Sequence, residues 1–99
     1  MKIAIVGATR GMGRALARRL AERGDALFLL GRDETELGLS ARDLEARGAP
    51  APVGQARLDL GESAGFAAAL DAADRSLSRT DALVVTGGLF ARQDELAAD

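Results

Sequence analysis

Cysteine, histidine and tyrosine are missing from the 99 residues, and lysine occurs once, as Lys2. Without cysteine there is no disulfide, no thiolate nucleophile and no thiolate metal ligand. Without histidine a transition-metal site would rest on carboxylates alone, and no acidic grouping suggests one. No run approaches the ~20 apolar residues of a membrane span. The apolar opening before Thr9 is shorter than the ~7–15-residue core of a secretory signal. A dominant charge is lacking too: 13 basic against 15 acidic side chains leave a net charge of −2. Neither a nucleic-acid-binding surface nor a polybasic membrane anchor follows from that balance. The expectation is a soluble cytoplasmic protein with no nucleic-acid and no membrane partner.

What is present fits one small globular domain: 47% apolar residues, with 12 glycines and 2 prolines. Lys2 to Val6 reads as a strand whose unbroken Ile-Ala-Ile-Val suits a parallel sheet covered on both faces. Met12 to Arg23 reads as a helix with Met12, Leu16 and Leu20 on its apolar face and Gly24 as its stop. Its arginines 18, 19 and 23 read as a solvated face. After Asp25, Ala26 to Leu30 repeats the buried-strand pattern. Asp33 to Glu36 has the form of a capping box and introduces a helix carrying Leu37, Ala41 and Leu44 up to Gly48. A third, weaker strand spans Val53 to Leu58, interrupted by Gly54. A helix starting near Glu62 carries Phe66, Leu70, Ala73 and Leu77, and a fourth strand covers Ala82 to Thr86, stopping at Gly87-Gly88. Leu89 to Asp99 looks like the start of a fourth helix. Strands alternating with helices require crossovers, which give a parallel, doubly wound α/β sheet flanked by helices.

One stretch carries chemistry. Gly7-Ala8-Thr9-Arg10-Gly11-Met12-Gly13 joins the first strand to the first helix, whose leading N–H groups are unpaired and sit at the positive end of the helix dipole. Gly7 allows the tight turn, Gly11 lets a pyrophosphate approach the main chain, and Gly13 lets the helix lie close to the sheet. The G-x-x-x-G-x-G spacing differs from G-x-G-x-x-G, and no Gly-Lys-Ser/Thr follows, so it is not a P-loop. An ordinary glycine-rich turn is the plain alternative.

With Gly31-Arg32 after strand two, Asp59-Leu60 after strand three and Asp81 to Gly88 at strand four, this loop resembles the short-chain dehydrogenase/reductase family, over all 99 residues. Val6 stands where that family often has Thr, and Val85-Thr86-Gly87-Gly88 replaces its usual Asn-Asn-Ala-Gly. The resemblance implies a single Rossmann-like NAD(P)-binding domain over residues 1–99, with strand order 3-2-1-4. It implies dinucleotide contacts from Gly7, Thr9, Arg10, Gly11, Met12 and Gly13, from Arg32, from Asp59 and Leu60, and from Gly87 and Gly88. Asp59 resembles the residue that meets the adenine amino group, and alternatively caps helix three. An acidic residue ending strand two would favour NAD, but Gly31 and Arg32 stand there. With Arg10 facing it, Arg32 points to the 2′-phosphate of NADP as cofactor rather than NAD.

The family's chemistry needs a tyrosine with a lysine four residues later. This chain has no tyrosine, and Lys2 lies in strand one. No catalytic residue is therefore assigned, and the expectation is the N-terminal, NADP(H)-binding half of an oxidoreductase, incomplete at its C-terminal side and inactive alone. A non-catalytic NADP sensor and a Rossmann-like interaction module are the alternatives. The edge of strand four is expected to pair with a second copy or with the missing half.

Overall fold

The computed structural model describes residues 1–9, 11–58 and 63–85. In chain order the elements are β1 (Lys2–Val6), α1 (Gly11–Arg23), β2 (Ala26–Gly31), α2 (Glu34–Arg47), β3 (Gly54–Arg57), α3 (Ser63–Leu77) and β4 (Ala82–Val85). The strands form one four-stranded sheet in the order β3-β2-β1-β4. Every pairing is parallel, with Ile5 opposite Leu29 and Val84, and Leu30 opposite Ala56. That is the order and architecture expected of the sequence.

The unbroken apolar runs of β1 and β2 are explained by a sheet covered on both sides, because successive side chains point to opposite faces. Ile3, Ile5, Leu27 and Leu29 enter the core under α1 and α2. Ala4, Val6, Phe28 and Leu30 enter the core under α3, with Ala69, Ala73 and Leu77. Helix α2 begins where Asp33 caps it: its Oδ1 accepts from the N–H groups of Thr35 at 2.9 Å and Glu36 at 3.1 Å. The helix ends at Gly48, whose φ of 126° is open to glycine and strained for other residues.

Three details differ from the sequence reading. Helix α1 turns Gly13, Ala17 and Ala21 to the core, while Met12 is 73% exposed and Leu20 only half-buried. Small residues let the helix axis approach the sheet, so close docking, rather than the bulk of Met12 and Leu16, decides its face. Gly54 does not interrupt β3 but opens it. A Cβ there would lie 2.6 Å from Phe28 Cδ1 and 2.8 Å from Ser76 Oγ, so the missing side chain is where the ring packs. Asp25 does more than precede β2, being buried against two cations. The Met1 ammonium donates to Oδ1 at 2.8 Å and Arg23 Nε to Oδ2 at 2.8 Å. These bonds hold its carboxyl below the usual carboxylate range, the ammonium contributing most, burial opposing it, and Arg23 adding to the lowering. Thr86, Gly87, Gly88 and the helix expected from Leu89 lie outside the described residues.

Candidate functional site

A parallel sheet brings the carboxyl ends of all its strands to one edge, and here Val6, Gly31, Arg57 and Val85 share it. The turn leaving β1 starts at Gly7, which has φ 92° and donates its N–H to Leu30 O at 3.3 Å. Ala8 then dips into the core at 1% exposure and pins the loop. Gly11 begins α1 with φ 54°, and a Cβ built on it would meet nothing within 4 Å. The first turn of α1 carries no acidic side chain. The leading N–H groups of a helix lack intrahelical partners, and here no carboxylate of that turn competes for them. Gly13, two residues on, is buried against the sheet side of the helix.

The same loop holds a contact with no signature in the sequence. Arg14 donates to the Thr9 carbonyl oxygen from Nε at 3.0 Å and from Nη2 at 2.8 Å, tying the helix back to the turn.

At the end of β2, Gly31 leaves room for Leu37, whose Cδ2 would be 3.3 Å from an added Cβ. Its carbonyl accepts from Leu58 N at 2.7 Å, which fixes the chain leaving β3 beside it. Arg32 follows, exposed and without a hydrogen-bond or ion-pair partner among the described residues. Arg57, paired across the sheet with Gly31, is likewise exposed and unpartnered among them. Sequence reasoning passed over Arg57, because only the register of β3 against β2 brings it beside Arg32.

Behind the loop, a cleft of about 320 Å³ separates α1 from α2, with Thr9, Arg14, Arg18, Glu36, Ser40 and Asp43 among its lining. Arg18, expected on a solvated face, reaches Asp43 Oδ2 at 3.3 Å, and Arg47 Nε reaches the same oxygen at 2.9 Å. The Arg47 hydrogen bond, helped by both positive charges and opposed by burial, holds the Asp43 carboxyl below its ordinary range.

The structure thus gathers Gly7, Thr9, Gly11, Met12 and Gly13 around one turn and sets Arg32 at the end of the adjoining strand. Arg10, Asp59, Leu60, Gly87 and Gly88 lie outside the described residues. Among the described residues no group of three or more acidic side chains could hold a metal, and no helix is long and apolar enough to cross a membrane.

A family model for short chain dehydrogenases matches residues 1–99. The chain belongs to the short-chain dehydrogenase family. Sulfoacetaldehyde reductase 2 of Chromohalobacter salexigens is 37% identical to this short-chain dehydrogenase chain over 87 residues, covering 88% of it and 33% of the relative. A variant of actinorhodin polyketide ketoreductase, solved with NADPH, superposes with a TM-score of 0.78 at 27% identity, over 88% of this chain and 33% of that one. The alcohol dehydrogenase of the archaeon Thermococcus sibiricus, complexed with 5-hydroxy-NADP, gives a TM-score of 0.74 at 30% identity, over 84% and 35%. The chain spans about a third of the length of these relatives.

Proposed function

We propose that this chain is the coenzyme-binding portion of a short-chain oxidoreductase and that it takes NADP(H) in preference to NAD(H). The observation that carries the reading is the mouth of α1. A glycine with positive φ stands there, a side chain would occupy the space above it, and no acid sits in the first turn. That cradle suits a diphosphate, held by main-chain N–H groups at the positive end of the helix. Arg32, unpartnered among the described residues at the end of β2, fits the 2′-phosphate, and its planar fork can bind two phosphate oxygens at once. Relatives of the same fold solved with NADPH and 5-hydroxy-NADP support the choice.

Within this reading Arg10 joins Arg32 at the phosphate and Thr9 adds a hydroxyl. Met12 borders the dinucleotide, Asp59 and Leu60 serve the adenine, and Gly87 and Gly88 are further candidate contacts. The bound nicotinamide supplies hydride chemistry, which needs a proton donor beside the substrate oxygen. No tyrosine stands in these 99 residues and Lys2 lies in β1, so the donor comes from outside them. What this chain contributes is binding and orientation. The outer edge of β4, terminal in the order of the described strands, is where the rest of such an enzyme or a second copy would add a strand.

Titration calorimetry with NADPH and NADH tests the reading on the chain itself. Arg32→Asp should weaken NADPH by roughly 10- to 100-fold, the worth of a charge-assisted pair, and leave NADH within about twofold. Equal losses for both coenzymes would remove the 2′-phosphate assignment. No wild-type affinity for either would remove the binding function.

A further inference from the structure

We infer that Arg14 is a positioning residue for the coenzyme loop, acting through the Thr9 carbonyl and touching no ligand itself; the inference rests on the dinucleotide-binding reading. The loop is hinged at both ends by left-handed glycines, Gly7 at φ 92° and Gly11 at φ 54°. Glycine hinges give the intervening segment wide conformational freedom, and that freedom opposes binding because it is lost when an anion is gripped. Ala8 anchors one side in the core. Arg14 anchors the other, with two donors converging on one oxygen at 2.8 and 3.0 Å.

The charge this bond brings to the loop matters as much as its strength. Thr9 and Arg14 both line the cleft between α1 and α2, and Gly11 is not part of that lining. A free carbonyl near that mouth would present its negative end to an incoming diphosphate. Held by a guanidinium, it is covered by positive charge. The alternating contacts deeper in the cleft, Arg18 to Asp43 and Asp43 to Arg47, leave Arg14 as the guanidinium engaged with the loop backbone among the described residues.

The Arg14 bonds are exposed to solvent, so their contribution to folding is small, and their effect belongs to binding. Three ligands read by calorimetry and NMR shift titration separate the two. For Arg14→Ala we expect both dinucleotides to weaken, NADH by about tenfold and NADPH by at least as much. Adenosine, which has neither the diphosphate nor the 2′-phosphate, should bind as to wild type, and the thermal midpoint should stay within roughly 2 °C. Arg14→Lys keeps the charge without the fork and should recover part of the loss for both dinucleotides. The inference is overturned if Arg14→Ala binds both dinucleotides like wild type. It is equally overturned if adenosine weakens by the same factor, because general damage to the domain would do that. Wild type binding none of the three removes the dinucleotide-binding reading and this inference with it, an outcome distinct from an unaltered Arg14→Ala.

Discussion

Gly54→Ala should be among the most damaging single-methyl additions to this domain. The new Cβ would lie 2.6 and 2.7 Å from Phe28 Cδ1 and Cε1 and 2.8 Å from Ser76 Oγ. Ordinary contact begins near 3.4 Å, so the ring must retreat by about 0.8 Å in a densely packed interior. The serine hydroxyl can rotate away, but Phe28 is 3% exposed and bounded by its core neighbours, so the strain falls on the ring. Overpacking of this kind costs about 1–3 kcal/mol, offset by about 0.5 kcal/mol because alanine suits a strand better than glycine. A net loss of about 1.5 kcal/mol lowers the melting midpoint of a domain this size by roughly 6–12 °C. Far-UV circular dichroism is the suitable assay, since the chain has neither tryptophan nor tyrosine to report by fluorescence. Gly38→Ala is the matched control: its Cβ would sit 3.6 Å from Gln55 Oε1, an ordinary contact, inside α2. It should stabilise by about 0.5–1 kcal/mol through helix propensity. If Gly54→Ala melts within about 2 °C of wild type, the close approach of Phe28 does not hold.

Asp25→Asn should cost about 1 kcal/mol near neutral pH, a modest figure because the ammonium and Arg23 partners are 56% and 60% exposed. The folded-state pKa of Asp25 is depressed, so its contribution is fully present above the unfolded carboxylate value of about 3.9 and is lost as pH falls through the lower, folded value. Denaturant curves of the two proteins should therefore differ by a constant amount from pH 7 to about 5 and converge at acid pH; divergence on acidification would refute the ion pair. Asp33→Ala removes the acceptor for two N–H groups at the head of α2 and should cost about 1 kcal/mol. Asp33→Ser should restore most of it in the same melts, because a hydroxyl caps nearly as well.

Where the sequence was legible, one physical pattern and one structure corresponded. Ile3 to Val6 and Leu27 to Leu30 are apolar without alternation, and only a sheet covered on both faces buries such strands, so the layers and the crossovers followed together. Asp33 was legible because a cap is local, its partners lying two and three residues away. The face of α1 was not, since large apolar residues at 12, 16 and 20 form a persuasive stripe while the packing distance is set by Gly13, Ala17 and Ala21. The burial of Asp25 depends on Met1 lying beside it across the sheet, where Met1 O accepts from Ala26 N at 2.9 Å. Arg57 beside Gly31 follows from strand register, and the Arg14 clamp ends on a backbone oxygen, which leaves no trace in residue types.

The disposition of positive charge explains why the carboxyl edge, rather than the arginine-rich helix, is the place to look for an anion. Along α1 the guanidinium groups are largely spent within the chain: Arg14 on a carbonyl, Arg18 on Asp43 and Arg23 on buried Asp25. An anion approaching those groups must compete with partners already held at about 3 Å. Arg32 and Arg57 have no such partner among the described residues, and they stand at adjacent strand ends on the edge that also carries the mouth of α1. There, under the proposed reading, an anion would displace no partner among the described residues. The lack of bulk at α1 works in the same direction on both sides of the helix. Gly13, Ala17 and Ala21 bring the helix down onto the sheet, close to these strand ends, while Gly11 keeps the space above its first turn clear. A bulky side chain at position 11 would close the approach, and bulk at 13 or 17 would lift the helix dipole away from the guanidinium groups, so one glycine-rich turn governs both the access and the field of the site.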